Sequence, residues 1–510
     1  MSRGQTLRSL AGDGSGRARW ALVAVCALAA LARFPTLGVQ SPWEDEAVTR
    51  WLMHRGLGQL LATVDHTEST PPLFYVLEWA CSQLAGSGEL ALRLISALAG
   101  TATAGLAYLL GRECFSVRAG LLAGLLVAVS PDLVWYSQEA RAYALYVAFA
   151  TAGVLLCLRA DAGRPRALAL WTGVSGLALW THYFAVFLVG LELLWLTIRL
   201  GPRRLAGPTL AIGVASVGLL PLALAQHAAG GAGYLAGLAL SERIGQLATE
   251  FTVGPPAPDP PGWPLVVLGA ALLVGLVAIL RAAAPVRRRA ALLAGAALAA
   301  VALPVALDVG GLHVFDERNT MDVVPLVVVA LAGALTIPEQ RGAGPLAAVA
   351  VLGSLAAVTL GAWFDPARQR EDWRSAAMAL GEAARPRALV VAPVTSNPAP
   401  VPALVGFTGT PAASAVPMPA TGAAVAEIDV LDIRAVPWFD GDTPAAALPP
   451  SPARGFRLGA VIERSNFRLF RFYSPLARRV RPEALRDQPL LPRSPDVMVA
   501  FQVPVGHPGP

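Results

Sequence analysis

Long apolar runs separated by short polar breaks fill the chain up to about Gly361, and from Asp365 onward the pattern changes to short alternating stretches. About 20 apolar residues suffice, as a helix, to cross a ~30 Å hydrocarbon layer. Runs of that kind recur from Arg19 onward, so the pattern predicts an α-helical polytopic membrane protein with about 11 transmembrane helices, followed by a small soluble C-terminal α/β domain. The expected division is a cytoplasmic N-terminal tail over 1–18, a transmembrane domain over 19–363 with its first external loop at 37–89, and an external domain over 364–510. In that last part EDWRSAAMALGEAARPRALVVAP reads as an amphipathic helix followed by an apolar strand, while FRLGAVIERS and NFRLFRFY read as further strands. Helix followed by strand favours an α/β domain. The Pro/Ala-rich stretch over 393–424 and the end after Pro489 give no clear strand signal.

Composition strengthens the membrane reading. Hydrophobic residues make up 55% of the 510, charged residues 15%, and the mean hydropathy is +0.55. These values belong to an integral membrane protein. Every basic residue is Arg, since the chain contains no Lys, and the net charge of +6 sits largely in short loops that set topology. It is not a nucleic-acid footprint. Cys26, Cys81, Cys114 and Cys157 lie in or beside apolar runs, with neither a disulfide framework nor a zinc spacing.

Arg bias orients the spans. Arg3, Arg8, Arg17 and Arg19 precede the first apolar run and place the N-terminus in the cytoplasm. With 71–85 (PPLFYVLEWACSQLA) lying at the outer surface, the clusters Arg112/Arg118, Arg159/Arg164/Arg166, Arg199/Arg203/Arg204, Arg281/Arg287–289 and Arg341 all become cytoplasmic. The outer face then collects the Asp45 loop, Ser137-Gln138-Glu139-Ala140-Arg141, His182-Tyr183, the loop from His227 to Gly262 and Phe315-Asp316-Glu317-Arg318. Trp43, Trp135, Trp180, Trp263 and Trp363 sit at the same ends, as an interfacial belt should.

Polar side chains from distant parts of the sequence thus converge on one membrane face. Asp45 and Glu46 are candidates for a general base, and adjacent carboxylates are also able to recruit a divalent cation. The competing reading is a solvated helix start, where acids favour the helix dipole. Arg141 would lie at headgroup depth, where its fork suits a phosphate or an internal pair with Glu139. Arg318, between acids and Asn319, has the same two readings, and Arg93 either faces the cavity or anchors the second span. His182 could bind substrate or be an interfacial polar residue. His54, His66, Asp65 and Glu68 could form a metal site only if folding gathers them, since their spacing matches no zinc motif.

The motifs, in order, are WEDEA, TPPLFYVLEW, LRLISALAGTATAGLAYLLGREC, SPDLVWYSQEARAYAL, THYFA, FDERNTMDVVPL and EDWRSAA. Together they resemble the glycosyltransferase C superfamily, and within it the bacterial family 39-like membrane proteins that include protein O-mannosyltransferases and lipid A aminoarabinose transferases. The resemblance implies a GT-C-like fold and an inverting transfer, metal-independent or metal-assisted, of a sugar from a polyprenyl-phosphate donor to an acceptor at the outer face. It implies Asp45 as base or metal-holding carboxylate with Glu46 supporting it, and Gln138, Glu139 and Arg141 beside the donor, with Arg318 on its phosphate. His182 and Tyr183 are assigned to the same donor site. Two departures stand out: family members commonly have Tyr after the late-loop Arg, where this chain has Asn319, and a Lys near the phosphate is unavailable to a Lys-free chain. The implied partners are the lipid-linked donor, the bilayer and an acceptor that is protein, lipid or glycan. A lipid-linked sugar flippase or secondary transporter is the main alternative; it predicts charges near mid-span and two similar halves. A non-catalytic scaffold is a third.

Overall fold

The computed structural model describes residues 3–230, 235, 237–255, 261–338, 342–365, 368–392, 415–433, 451–464, 467–486 and 497–504. Arg341, much of the Pro/Ala-rich stretch, parts of the end beyond Pro489 and parts of the 227–262 loop lie outside these residues.

Helix α1 (Arg3–Leu31) leads into four short helices, α2 (Glu44–Met53), α3 (Leu57–Thr67), α4 (Leu73–Ala85) and α5 (Glu89–Leu92). Helix α4 has 13 residues. At 1.5 Å per residue that is about 20 Å, too short for a bilayer crossing. Long helices follow, with one short helix among them: α6 (Leu94–Cys114), α7 (Val117–Ala128), the short α8 (Pro131–Ser137), α9 (Tyr143–Asp161), α10 (Ala167–Thr181), α11 (Ala185–Leu200) and α12 (Pro202–Ala228). After α13 (Leu240–Val253) come α14 (Trp263–Arg281), α15 (Ala284–Val309), a 3-10 helix (Glu317–Val323) running into α16 (Val324–Leu335), and α17 (Ala343–Phe364).

Seven stretches among the described residues are helical, long and apolar enough to span, or eight if the pair α7 and α8, bent by 58°, counts as one. The expectation of about 11 is not reached by this measure. Helix α10, at 15 residues, falls short in length, and α1 carries Arg3, Arg8, Arg17 and Arg19 along its first two thirds.

Burial sorts the helices by environment. The most apolar window of α9 is 72% buried inside the protein, whereas those of α12 and α14 are 11% and 22% buried. Leu210, Val214, Val217, Val266, Leu273 and Leu280 point outward from these two, as side chains solvated by lipid do. Small residues let the inner helices close up: a Cβ on Gly111 of α6 would lie 2.9 Å from the Cα of Gly120 on α7.

The tail forms the small α/β domain. Helix α18 (Trp373–Leu380) precedes a six-stranded sheet in the order β2-β6-β1-β3-β5-β4, with β1 (Arg387–Ala392) parallel to β3 (Ala423–Ile433) and the other pairs antiparallel. The other strands are β2 (Ala415–Pro417), β4 (Arg457–Glu463), β5 (Phe467–Val480) and β6 (Met498–Gln502), with a short helix α19 (Pro482–Arg486) before β6. One face of the sheet buries Leu389, Val391, Leu431 and Leu469 against Trp373, Ala376 and Leu380 of α18. Ala47 of α2 belongs to this same core, with Trp43 packed against it. The tail is therefore seated directly on the helix that carries Asp45 and Glu46.

Candidate active site

The site lies at one end of the bundle, where α1, α7, α10, α15 and α17 finish and α6, α9, α11 and α16 begin. Alternation of helix direction brings these ends together, and the acidic and basic residues of the connecting segments meet there.

Glu46 is 2% exposed and accepts from Arg93 Nε at 2.7 Å and Arg93 Nη2 at 2.6 Å. Its Oε1 also accepts from the Ala140 amide at 2.9 Å. Arg93 fills its remaining donors with the carbonyls of Leu37 (2.7 Å), Gln40 (3.0 Å) and Ser41 (3.2 Å). Burial alone would raise the Glu46 carboxyl, and the fork from Arg93 reverses this, leaving it below the usual carboxylate range. Glu46 is thus a bonded strut between α2, α6 and the 138–141 turn.

Asp45, one residue earlier, is different. Its side chain is 29% exposed, and its Oδ2 lies 3.6 Å from Arg141 Nε. Arg141 is held from its far side by Glu68 at 2.7 Å, and Glu68 also accepts from the Tyr75 hydroxyl at 2.6 Å. Burial raises the Glu68 carboxyl, with Arg141 opposing. A buried, oriented guanidinium next to an accessible carboxylate results, from residues almost a hundred positions apart.

Gln138 donates to the Arg33 carbonyl at 2.8 Å and to Thr36. Glu139, 1% exposed, pairs with Arg370 of the tail at 2.9 Å, while its other oxygen is buried without a hydrogen-bond partner. Burial pushes this carboxyl up to about 7, with Arg370 holding it back. Arg318 is paired to Asp316 at 3.0 Å and its side chain is 26% exposed. His182 stacks on Tyr146 with ring centroids 4.6 Å apart. Tyr183 turns elsewhere, donating to Gln226 at 2.8 Å, which itself reaches the carbonyls of Val64 and Thr70. A small, partly open pocket lies beyond the turn, with Gln40, Trp135, Gln138, Trp363 and Arg368 on its walls.

Asp45, Glu46, Gln138, Glu139 and Arg141 are brought together around one turn, with Arg318 and His182 on the α9 side and Tyr183 apart. The His54, His66, Asp65 and Glu68 group is dispersed: His66 contacts exposed Asp65, His54 faces Ser87, and Glu68 is bound by Arg141 and Tyr75. Among the described residues no three His, Cys, Asp or Glu are placed to hold a metal ion. Glu46 has both oxygens committed to Arg93 and the Ala140 amide, while Glu68 has one oxygen bound by Arg141 and Tyr75 and the other buried without a hydrogen-bond partner. Sequence reasoning missed Tyr75, the Glu68–Arg141 pair and Arg370. Arg370 directly precedes the EDWR run that opens the tail, but nothing local ties it to position 139.

Comparison with known proteins gives matches of two kinds. Residues 69–225 match the family described as dolichyl-phosphate-mannose-protein mannosyltransferase. In structure, the chain is similar to ArnT from Cupriavidus metallidurans bound to undecaprenyl phosphate, with a TM-score of 0.51 at 13% identity, over 88% of this chain and 97% of that one. A weaker likeness, with a TM-score of 0.45 at 15% identity, links 71% of the chain to 57% of the Archaeoglobus fulgidus oligosaccharyltransferase in its apo form. No curated protein matches.

Proposed function

We propose that the chain is a membrane protein of the glycosyltransferase C superfamily that transfers a sugar from a polyprenyl-phosphate donor to an acceptor at the extracytoplasmic face, a reading supported by the family match over residues 69–225 and the fold likeness. The observation that carries this reading is the Asp45–Arg141 pair, a partly exposed carboxylate 3.6 Å from a buried guanidinium fixed by Glu68. In the reaction, Asp45 takes the proton of the acceptor hydroxyl while the acceptor oxygen bonds to the anomeric carbon of the sugar. The bond from that carbon to the phosphate oxygen breaks, and polyprenyl phosphate leaves. Charge growing on the phosphate is met by Arg141 and Arg318, whose attraction is larger in a water-poor cleft than in water. Glu46 supports Asp45 indirectly, by fixing α2 against Ala140 and Arg93. Gln138, Glu139 and His182 border the donor, and Tyr183 shapes its rim through Gln226. A transporter or flippase would place its charges near mid-span. Here the site acids and arginines gather at helix ends.

The direct test is incubation of the purified protein with a panel of labelled polyprenyl-phosphate sugars, following release of the lipid phosphate. Movement of intact lipid-linked sugar across a liposome membrane without cleavage would replace this reading with the flippase.

Two further expectations follow from the geometry. Arg318→Ala should weaken binding of undecaprenyl phosphate by roughly tenfold or more, the loss expected of one charge-assisted hydrogen bond, and Arg318→Lys should restore it only in part. Arg141→Ala should lose more, because Glu68 is left buried without its charged partner, with only the Tyr75 hydroxyl still donating to it. Equal affinity in wild type and Arg318→Ala places the phosphate elsewhere. Sidedness is read by labelling single cysteines in a Cys-free background. A cysteine at exposed Leu476 of the tail should react from outside and one at exposed Arg118 from inside; the reverse pattern inverts the topology.

A further inference from the structure

We infer that Arg370, supplied by the tail, is a positioning residue that holds the 138–141 turn in the arrangement presenting Arg141 to Asp45. Its part in the reaction rests on the functional reading above, whereas its grip on the turn does not.

Arg370 is 4% exposed. It donates to the Gln138 carbonyl at 2.9 Å, to the Trp135 carbonyl at 3.3 Å and to Glu139 Oε2 at 2.9 Å. Its guanidinium lies 4.5 Å from the centroid of the Trp135 ring, within cation–π range. One planar fork therefore closes the C-terminal end of α8 and the start of the turn at once. An ammonium has neither the flat face nor the spread of donors to do this.

The turn is coupled onward to Asp45. The Ala140 amide donates to Glu46 and the Ala140 carbonyl accepts from Thr49 at 3.1 Å, both on α2. The next residue is Arg141, 3.6 Å from Asp45. The same tail segment also grips the approach to α2. Arg374 donates from its side chain to the carbonyls of Gly38 (3.3 Å) and Gln40 (3.2 Å), pairs with Glu89, and donates its amide to Ser41 Oγ at 3.0 Å. Ala47 is locked into the α18 core. Turn and α2 are therefore registered to one another partly through a third body, the tail. Two loops meeting at the end of a helix bundle have no ladder of backbone hydrogen bonds to fix their mutual placement, and Arg370 supplies that constraint.

The charge on Glu139 gives a readout that packing alone would not move. The groups facing Glu139 are Arg370 from the tail, Asp45 and Glu46 on α2, Arg141 in the turn, Arg93 before α6, and Tyr136 and Tyr143 on α8 and α9. With burial raising the carboxyl and Arg370 opposing, it titrates at about 7. An ionised Glu139 repels a phosphate, so affinity should fall as pH rises through that value. Removing Arg370 raises the carboxyl further and moves this limb to higher pH.

The experiment uses the full chain in nanodiscs, comparing wild type, Arg370→Gln, Arg370→Lys and Glu139→Gln. Hydrogen exchange of peptides covering 136–145 and 43–53 reports the turn and α2. Binding of undecaprenyl phosphate from about pH 6 to about pH 9 reports Glu139; the phosphate's own titration is common to all four proteins and cancels in the comparison. Arg370→Gln should exchange the turn amides at least about tenfold faster and shift the binding limb upward, Arg370→Lys should exchange at an intermediate rate, and Glu139→Gln should lack the limb. Wild-type exchange at 136–145 with an unmoved limb in Arg370→Gln overturns the inference. If that variant does not assemble, wild-type exchange in Arg370→Lys overturns it equally. Failure of the wild type to bind undecaprenyl phosphate counts against the functional reading, while the exchange arm still decides the role of Arg370.

Discussion

Asp45→Asn is expected to lower turnover of a polyprenyl-phosphate sugar by about 10²-fold or more, the loss typical of removing a general base. The amide is isosteric and still able to face Arg141, but it cannot accept the acceptor's proton. Affinity for undecaprenyl phosphate should fall little, since the arginines remain. Stability should change by about the ~0.3–1 kcal/mol of an acid in the first turn of a helix, because Asp45 is partly exposed, its contact with Arg141 is long at 3.6 Å, and Glu68 still holds that guanidinium at 2.7 Å. Release of labelled lipid phosphate, measured per folded molecule, checks this. Unchanged turnover removes Asp45 from the chemistry and transfers the base role to another carboxylate of the site, of which Glu139, with its partnerless oxygen, is the nearest in character.

Arg93→Met is the second large effect, and it falls on stability instead. Arg93 and Glu46 are 1% and 2% exposed, and the substitution strands the Glu46 carboxylate together with three carbonyls that Arg93 now satisfies. Breaking such a buried pair costs about 3–5 kcal/mol. Unfolding in detergent should show it, and the double variant with Glu46→Leu should recover part of the loss, because the uncompensated charge is gone. The acid limb has a defined sign. The Glu46 carboxyl is held below its usual value, so the stability it contributes is present at neutral pH and disappears only as pH falls through the depressed folded value. A loss under about 1 kcal/mol in Arg93→Met would mean that water reaches the pair and replaces the lost partner.

These two expectations separate neighbours that look alike in the sequence. Asp45 and Glu46 are adjacent acids in the run WEDEA, and nothing local distinguishes a base from a strut. Their side chains leave α2 about 100° apart, as consecutive helix positions do. One therefore faces the cleft and the other faces Arg93.

Membrane class, the run of spans and the α/β tail were legible because the solvent dictates them: lipid demands long apolar helices, and a soluble sheet demands alternation. Gathering of polar residues at one end was legible too, through the Arg bias and the aromatic belt. The span count was less so. The bent pair α7 and α8 is as apolar as a span and only its 58° break distinguishes it, while helix α4 opens on an apolar run and stops at 13 residues.

The pairings belong to the tertiary structure. Glu46 meets Arg93 across 47 positions, Arg141 meets Glu68 across 73, and Arg370 meets Glu139 across 231. From the sequence alone Arg141 had Glu139 as its obvious neighbour; in the fold Glu139 goes to Arg370, and Arg141 goes to Glu68 and Asp45. The physical reason is that a buried charge must find a partner in space and has no preference for a near one in the chain. Apolar periodicity is a local property and survives in one dimension, whereas the choice among several acids and arginines at a crowded helix end depends on which side chains the packing of α2, the turn and the tail leaves within reach.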